Sequence, residues 1–175
     1  MARKPRKLKP ADLKDAALHY LGRYAASTAR LRQVLTRRIR NSAKAHDFDP
    51  APLLVELDRV VATLTGVGLL NDAAFADAKA RSLNRRGGSR RQIAAKLAGA
   101  GVARDATAEA LERLNEEMPD AESAAAFAYA KRRRLGVFRN PVDASPERRR
   151  KDLMAMARAG FAIDLARRAL AGNAE

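Results

Sequence analysis

Two stretches of the sequence match each other position for position, and this repetition constrains the fold more than any other feature. The stretch LAGAGVARDATAEAL at 97–111 matches MARAGFAIDLARRAL at 156–170, an offset of 59. Both stretches keep a glycine, an apolar residue after it, an aspartate and a closing Ala-Leu. A second match, at an offset of 62, pairs Ser27, Leu31 and Leu35 with Ser89, Ile93 and Leu97. Repetition on this scale predicts tandem helical units that bury their faces on one another.

Apolar residues recur at intervals of three and four along the chain, and no stretch alternates as a β-strand does. The sequence therefore predicts an all-α fold, an elongated tandem array of three three-helix repeats. We place a basic flexible arm at residues 1–11 and the repeats at 12–66, 67–117 and 118–172. Aromatic residues make up only 5% of the chain, so we expect thin, alanine-lined contacts between helices.

The chain is strongly basic, with 35 lysine and arginine residues against 20 aspartate and glutamate residues and a formal charge of +15. This excess favours a polyanionic partner. The alternative is that an arginine- and alanine-rich composition reflects genome bias and that the charge only keeps the chain in solution. Cysteine is absent, and no apolar run approaches the roughly 20 residues of a membrane span. We therefore expect a monomeric cytoplasmic protein without membrane contact.

The sequence NRRGGSRRQ at 84–92 places four arginines around a Gly-Gly pair. If the first two helices of a repeat form a hairpin, Arg85 and Arg86 end one helix, and Arg90 and Arg91 begin the next at the same corner. The third repeat has basic clusters at the same two helix ends, namely Arg132, Arg133, Arg134, Arg148, Arg149, Arg150 and Lys151. In the first repeat, the second helix carries a basic edge of Arg30, Arg37 and Arg40.

The helix dipole favours cations at the end of a helix and disfavours them at its start. Helix stability therefore does not explain the second half of each cluster. Basic corners in successive repeats would form a positive track for a phosphate backbone or for an acidic groove on a polymer. The alternative interpretation is that each cluster is a solvated helix end. Tyr129 and Phe138 stand near the clusters and are weak candidates for stacking on bases.

The sequence contains no recognisable catalytic or metal-binding motif. His19 and His46 have no acid or thiol at ligand spacing, so we interpret both as surface or partly buried residues. No phosphate-binding loop, nucleophile elbow or HExxH motif occurs. We expect no metal, no cofactor and no enzymatic activity, although a carboxylate pair assembled only by the fold is left open.

Four short motifs between roughly Leu13 and Leu170 resemble the bacterial RecX regulatory proteins. They are Ala17, Leu18 and Leu21; Ser27 with Arg30, Leu31, Arg32 and Leu35; G.L.D..FA at 68–76; and G.SRRQI...L...GV at 87–102. The resemblance implies three-helix repeats that bind the RecA recombinase and its filament on single-stranded DNA. It also implies a non-enzymatic negative regulator, which blocks filament extension or promotes disassembly and lowers ATP hydrolysis and strand exchange. Arg30 stands where the family usually has glutamate, which gives more weight to direct DNA contact.

These observations leave two main hypotheses for the function. The first is regulation of the RecA filament, with Arg85, Arg86, Arg90 and Arg91 as anchors. The second is general binding of nucleic acid through the basic surface, without a recombinase partner. A helical scaffold for an acidic protein is a third hypothesis, and no specific feature of the sequence supports it.

Overall fold

The computed structural model describes residues 5–141 and 145–172. These residues contain no strand, so the prediction of an all-α fold is confirmed. Their nine α-helices are α1 (Ala11–Leu21), α2 (Thr28–His46), α3 (Ala51–Gly66), α4 (Asp72–Arg85), α5 (Arg90–Gly99), α6 (Arg104–Glu117), α7 (Ala121–Arg133), α8 (Pro146–Arg158) and α9 (Ile163–Ala171). A short 3₁₀-helix at Gly136–Phe138 follows α7.

The chain divides into two compact units. The first unit extends to Phe75 and also contains Ala100–Val102, while the second contains Ala76–Gly99 and the chain from Ala103 onward. The order of the helices is compatible with three groups of three. The repeat boundaries at 12–66, 67–117 and 118–172 remain a prediction.

In the first unit, α1, α2 and α3 pack on one another around a core of leucines and valines. Leu13 of α1, Leu31 and Leu35 of α2, and Leu57 and Leu64 of α3 are almost fully buried. In each helix the buried positions fall three or four residues apart, as an amphipathic helix requires. The apolar periodicity in the sequence therefore marks the faces that form this core.

The N-terminal segment before α1 lies against the end of α2. Leu8 is buried, and its N–H donates to the Ser42 hydroxyl at 2.9 Å. The same hydroxyl donates to the Arg6 carbonyl at 3.1 Å, and His46 Nε2 lies 2.7 Å from the Pro5 carbonyl oxygen. Backbone and side-chain contacts thus hold residues 5–8 on α2.

These contacts bear on the basic flexible arm that the sequence predicts over residues 1–11. Residues 1–4 lie outside the described part of the chain, but the rest of the predicted arm has fixed contacts. Helix α1 also begins within it, at Ala11, and the Asp12 carboxylate accepts from the Lys9 N–H at 2.8 Å. The prolines and lysines of this segment favour a mobile arm in the sequence. The segment also contains one apolar residue, Leu8, which is buried in the structure.

In the second unit, α7, α8 and α9 surround a core made mostly of alanines, completed by Met156 and Phe161. Ala125, Ala126 and Ala130 of α7 are fully buried, and α5 packs on α6 beside them. Because alanine has only a methyl side chain, these helix backbones approach closely. The expectation of thin, alanine-lined contacts describes this unit.

The repeated serine makes the same contact in both units. Ser89 is fully buried; its hydroxyl accepts from the Gln92 N–H and donates to the Ala159 carbonyl, at 3.2 and 2.6 Å. Ser27 likewise accepts from the Arg30 N–H at 3.1 Å and donates to the Ala100 carbonyl. In each unit, one hydroxyl therefore caps the start of a helix and also donates to the carbonyl of an alanine that precedes a glycine, Ala100 or Ala159.

The glycine after each of these carbonyls is required by space and by backbone conformation. Gly101 and Gly160 have φ of +76° and +93°, which side-chain-bearing residues rarely adopt. A Cβ at Gly160 would lie 2.8 Å from the Ser89 hydroxyl oxygen, and one at Gly101 would overlap Ala29. The serine and the glycine that recur in the sequence are thus the two sides of one packing contact.

Ser89→Ala tests the importance of this contact. We expect the free energy of unfolding to fall by about 2 kcal/mol, because the change removes a helix cap and leaves the buried Ala159 carbonyl without its donor. Urea unfolding followed by far-UV circular dichroism measures the difference. Asn71→Ala is the matched control, since Asn71 caps α4 through the Ala74 N–H at an exposed position, and its loss costs about 1 kcal/mol. An effect of Ser89→Ala no larger than that of Asn71→Ala would contradict the proposed role of the hydroxyl.

Candidate partner and nucleic-acid interface

The turn between α4 and α5 begins where α4 ends at Arg85. Gly87 has a φ of +76°, and its N–H donates to the Asn84 carbonyl at 2.7 Å. The Gly88 N–H donates to the Leu83 carbonyl at 2.9 Å, which satisfies another carbonyl of the last helical turn. The chain then enters α5 at once, as the hairpin interpretation of the sequence requires.

This turn lies directly on the backbone of α7. A Cβ at Gly87 would be 2.5 Å from the Tyr129 nitrogen and 2.9 Å from the Ala125 carbonyl oxygen. One turn before Gly87, the Asn84 side-chain amide donates to the Ala121 carbonyl at 2.8 Å. The basic turn is therefore fixed against α7, and only glycine permits so close an approach.

The basic end of α7 continues from the point where the turn makes contact. Arg132 follows Tyr129 by three residues, and its guanidinium carbon lies 5.6 Å from the centre of the tyrosine ring. One helical turn advances about 5.4 Å, so Arg132 and Arg133 stand about one turn beyond the site of Gly87 contact. The structure thus brings the predicted clusters at 85–86 and 132–134 into one region of the second unit.

Arg85 and Arg86 are exposed, and within the described residues their side chains form no ion pair or hydrogen bond. Both lie at the C-terminal end of α4, where the partial negative charge of the helix favours cations. The two guanidinium groups can therefore face solvent without an acidic partner. Both therefore remain available to a ligand.

Arg90 is also exposed, but its side chain has partners within the second unit. Its guanidinium donates to the Leu111 carbonyl at 3.3 Å and to Glu112 Oε1 at 3.0 Å. Its backbone N–H donates to Glu122 Oε2 at 2.9 Å. The structure places Arg90 beside Arg91 at the start of α5, but gives its side chain a structural partner on α6.

The carboxylate of Glu122 lies beside the positive charge of Arg90 and the partial positive charge of the α5 N-terminus. Burial raises the pKa of Glu122, and the hydrogen bond and positive charge of Arg90 act in the opposite direction. The carboxylate nevertheless lies at a helix N-terminus, where the free N–H groups favour an anion. Arg90 thus lies between two glutamates, Glu112 and Glu122. Neither the residues next to Arg90 nor the spacing of acidic residues in the sequence predicts this arrangement.

The guanidinium group of Arg91 faces solvent, but its Cβ is packed. A Cβ at Gly160 would lie 3.0 Å from Arg91 Cβ, so the start of this side chain contacts the turn after α8. The guanidinium has no ion pair or hydrogen bond among the described residues. Arg91 therefore stays a candidate for binding, at a position where reversal of its charge also disturbs packing.

The two clusters of the third predicted repeat are joined by a buried aspartate. Asp152 accepts from the Gly136 N–H at 2.8 Å and from the Arg139 guanidinium at 2.7 and 2.9 Å. These contacts tie the loop after Arg134 to α8 next to Lys151. The clusters at 132–134 and 148–151 consequently occupy the same end of the second unit, and sequence reasoning missed the pair that holds them there.

The members of these clusters differ in their surroundings. Lys151 donates to Glu147 at 2.6 Å, and the Arg148 N–H donates to the Ser145 hydroxyl at 3.4 Å. Arg149 and Arg150 are exposed on α8. The start of α8 therefore combines an acid in its first turn with outward-facing cations.

On α2, Arg30, Arg37 and Arg40 are all exposed, as the basic edge predicts. The Arg30 guanidinium donates to the Gln33 side chain, whereas Arg37 lines a groove together with Arg6 and Arg38. Arg6 and Arg38 were not identified from the sequence. Arg6 belongs to the N-terminal segment that the sequence shows to be basic. The position of Arg6 beside α2, however, depends on the burial of Leu8.

Among the described residues, no three His, Asp or Glu side chains come together closely enough to hold a metal ion. None of the helices in the same part of the chain combines the length and apolar character that a membrane span needs.

Comparison with known protein families identifies one matching model, the second three-helix domain of RecX, over residues 71–111. The chain is 41% identical over 171 residues to "Regulatory protein RecX" of Myxococcus xanthus (strain DK1622), covering 98% of this chain and 90% of the relative. It is 30% identical over 162 residues to the protein of the same name from Agrobacterium fabrum (strain C58 / ATCC 33970), covering 93% and 83%.

Two solved structures share the fold. A crystal structure of regulatory protein RecX superposes with a TM-score of 0.63 at 18% identity, covering 90% of this chain and 70% of that one. RecX from Lactobacillus salivarius superposes with a TM-score of 0.67 at 16% identity, covering 94% and 96%. These similarities confirm the predicted helical repeat fold.

Gly87→Ala tests whether the basic turn is fixed against α7. We expect a loss of about 2 kcal/mol or more in the free energy of unfolding, because the new Cβ is strained at positive φ and overlaps the Tyr129 backbone. Gly68→Ala is the control; Gly68 has nearly the same φ, +75°, but a Cβ there meets nothing within 4 Å, so this change carries only the conformational cost of about 1–2 kcal/mol. Equal effects of the two changes in urea unfolding would show that the turn does not rest on α7.

Proposed function

Because this chain belongs to the RecX family of regulatory proteins, we propose that it is a negative regulator of the RecA recombinase. The family resemblance inferred from the sequence motifs is thereby confirmed. The proposed activity is binding to RecA and to its filament on single-stranded DNA, with inhibition of filament extension, ATP hydrolysis and strand exchange. The relatives are named regulatory proteins, which supports a role without catalysis.

The observation that carries this proposal is the concentration of exposed arginines around the α4–α5 turn and the end of α7. Arg85 and Arg86 face solvent there, and Arg132 and Arg133 follow about one turn beyond the contact of Gly87 with α7. Guanidinium groups bind phosphates and carboxylates through paired hydrogen bonds. A filament of recombinase on DNA offers both kinds of anion, so this region is the proposed contact surface.

The ion pair of Arg90 with Glu112 and the packing of Arg91 change which arginines should anchor the partner. Reversing Arg90 would place a carboxylate beside Glu112 and Glu122 and would perturb the second unit itself. Arg85 and Arg86 have no such structural role. We therefore assign the anchoring contacts to Arg85 and Arg86, with Arg132, Arg133, Arg134, Arg149 and Arg150 as further contacts of the second unit.

The alternative function is general binding of nucleic acid without a recombinase partner, for which the charge of +15 is the supporting observation. A protein that neutralises about six phosphates would lose affinity for single strands with a logarithmic salt slope near −4. Inhibition of the recombinase would then appear only when the protein covers the DNA. A regulator that acts at filament ends inhibits at a small fraction of the recombinase concentration.

Arg85→Glu/Arg86→Glu tests the proposed anchors. We expect the concentration needed to inhibit DNA-dependent ATP hydrolysis by RecA to rise about tenfold, since a loss near 1.4 kcal/mol of binding free energy has that effect. The measurement is steady-state ATP hydrolysis by RecA on single-stranded DNA, with this protein titrated from far below the recombinase concentration to equality.

Arg167→Glu/Arg168→Glu is the matched control, since it makes the same charge change on exposed neighbours in α9 of the same unit. The control should inhibit almost as the natural protein does. Equal weakening by both variants would show that only the overall charge matters. Inhibition by the natural protein that begins only at coverage of the DNA would support the alternative function.

A further inference from the structure

The first unit contains an arginine groove between the N-terminal segment and α2. It has a volume of about 440 Å³ and is lined by Pro5, Arg6, Val34, Arg37, Arg38 and Asn41. The four α2 residues are spaced three and four apart, so they share one face of the helix. Arg6 reaches the groove from the other side, because the Ser42 hydrogen bonds and buried Leu8 hold its segment on α2.

The charge in this groove is not balanced. Among the described residues that line it, none is acidic, and the side chains of Arg37 and Arg38 form no ion pair or hydrogen bond in that part of the chain. Arg6 does pair with Asp12 at 3.2 Å, but its side chain is 77% exposed. Three guanidinium groups that share a groove repel one another, and a bound anion would relieve that repulsion.

A second groove in the same unit gives an internal comparison. It has a volume of about 390 Å³, lies between α1 and α3, and includes Lys14, Glu56 and Arg59 in its lining. Arg59 donates to Glu56 at 3.4 Å, so its charge is partly balanced within the groove. The two grooves are similar in size but differ in charge, and only the arginine groove concentrates unpaired cations.

We propose that the arginine groove binds the phosphodiester backbone of a nucleic acid. Each guanidinium offers a planar set of N–H donors that matches the geometry of a phosphate, and the Asn41 amide adds a neutral donor. Val34 and Pro5 give apolar surface for the sugars. Since no aromatic residue lines the groove in the described part of the chain, bases are not stacked and binding is independent of sequence.

This site is separate from the proposed RecA contact of the second unit and does not depend on it. It needs no recombinase and involves Arg6 and Arg38, which lie outside the basic clusters recognised in the sequence. Through this site, the exposed face of α2 would bring the first unit into direct contact with DNA. The N-terminal segment then has a function, since it completes the groove with Arg6.

The test compares Arg37→Glu/Arg38→Glu with Lys14→Glu/Arg59→Glu, which makes the same charge change at the second groove. Fluorescence anisotropy measures the binding of a labelled oligo(dT) strand and of a labelled duplex across a series of salt concentrations, without RecA. We expect the arginine-groove variant to bind oligo(dT) at least about tenfold more weakly than the control variant. Its logarithmic salt slope should be shallower by about 1.4, since two phosphate contacts are lost at about 0.7 each.

All four substituted side chains are exposed, and far-UV circular dichroism will verify that both variants keep their helices. Arg37→Ala/Arg38→Ala removes the charges without adding acids and should give a smaller loss in the same direction. A loss on oligo(dT) alone assigns the groove to single strands, and a loss on both probes assigns it to any phosphodiester backbone. Equal affinities and salt slopes for the two charge-reversal variants would overturn the proposal.

These measurements are independent of the proposed regulation. A variant that loses DNA affinity but still inhibits RecA would show that the arginine groove and the second-unit surface act separately. Failure of the natural protein to inhibit RecA would overturn the proposed function and leave the anisotropy result unaffected.

Discussion

The buried serine hydroxyl at the start of a repeat's second helix is the contact on which the arrangement of the chain depends. Ser89 satisfies an N–H at the beginning of α5 and a carbonyl at the end of α8 with one oxygen atom. Because the core of the second unit is rich in alanine, apolar burial alone specifies the position of its helices only weakly. A buried hydrogen bond that is lost when the helices shift fixes their register more sharply. Ser27 does the same in the first unit.

The basic residues differ in whether the fold supplies them with an acidic partner. Arg139 and Arg90 are engaged by acids that are distant in the sequence, Asp152 and Glu112. Arg85 and Arg86, in contrast, have no acidic partner among the described residues. The excess charge of the protein is thus not spread uniformly over its surface. Part of it lies on side chains that have no acidic partner among the described residues.

The sequence predicted much of this architecture because its strongest signals are local. The offsets of 59 and 62 identified the serine and the glycine of the repeated contact, and the Gly-Gly pair identified the α4–α5 turn. What the sequence could not supply are pairings between distant residues. Arg90 meets Glu112 only after α5 and α6 pack, and Leu8 is buried in the apolar core of the first unit, with its N–H bonded to the Ser42 hydroxyl. Tertiary contacts therefore decide which of the predicted arginines remain exposed and without an acidic partner in the described part of the chain, and the site itself stays a prediction.

The direction of a helix explains why basic residues at its C-terminal end need no acidic partner. The start of α5 carries partial positive charge, and Glu112 and Glu122 lie beside Arg90 there. The ends of α4 and α7 carry partial negative charge, which stabilises cations without any acidic side chain. Arg85, Arg86 and the cluster at 132–134 can therefore remain exposed at low cost. A polyanion that binds at these ends meets arginines whose charge is only weakly compensated by the protein, and it need not break an ion pair to bind them.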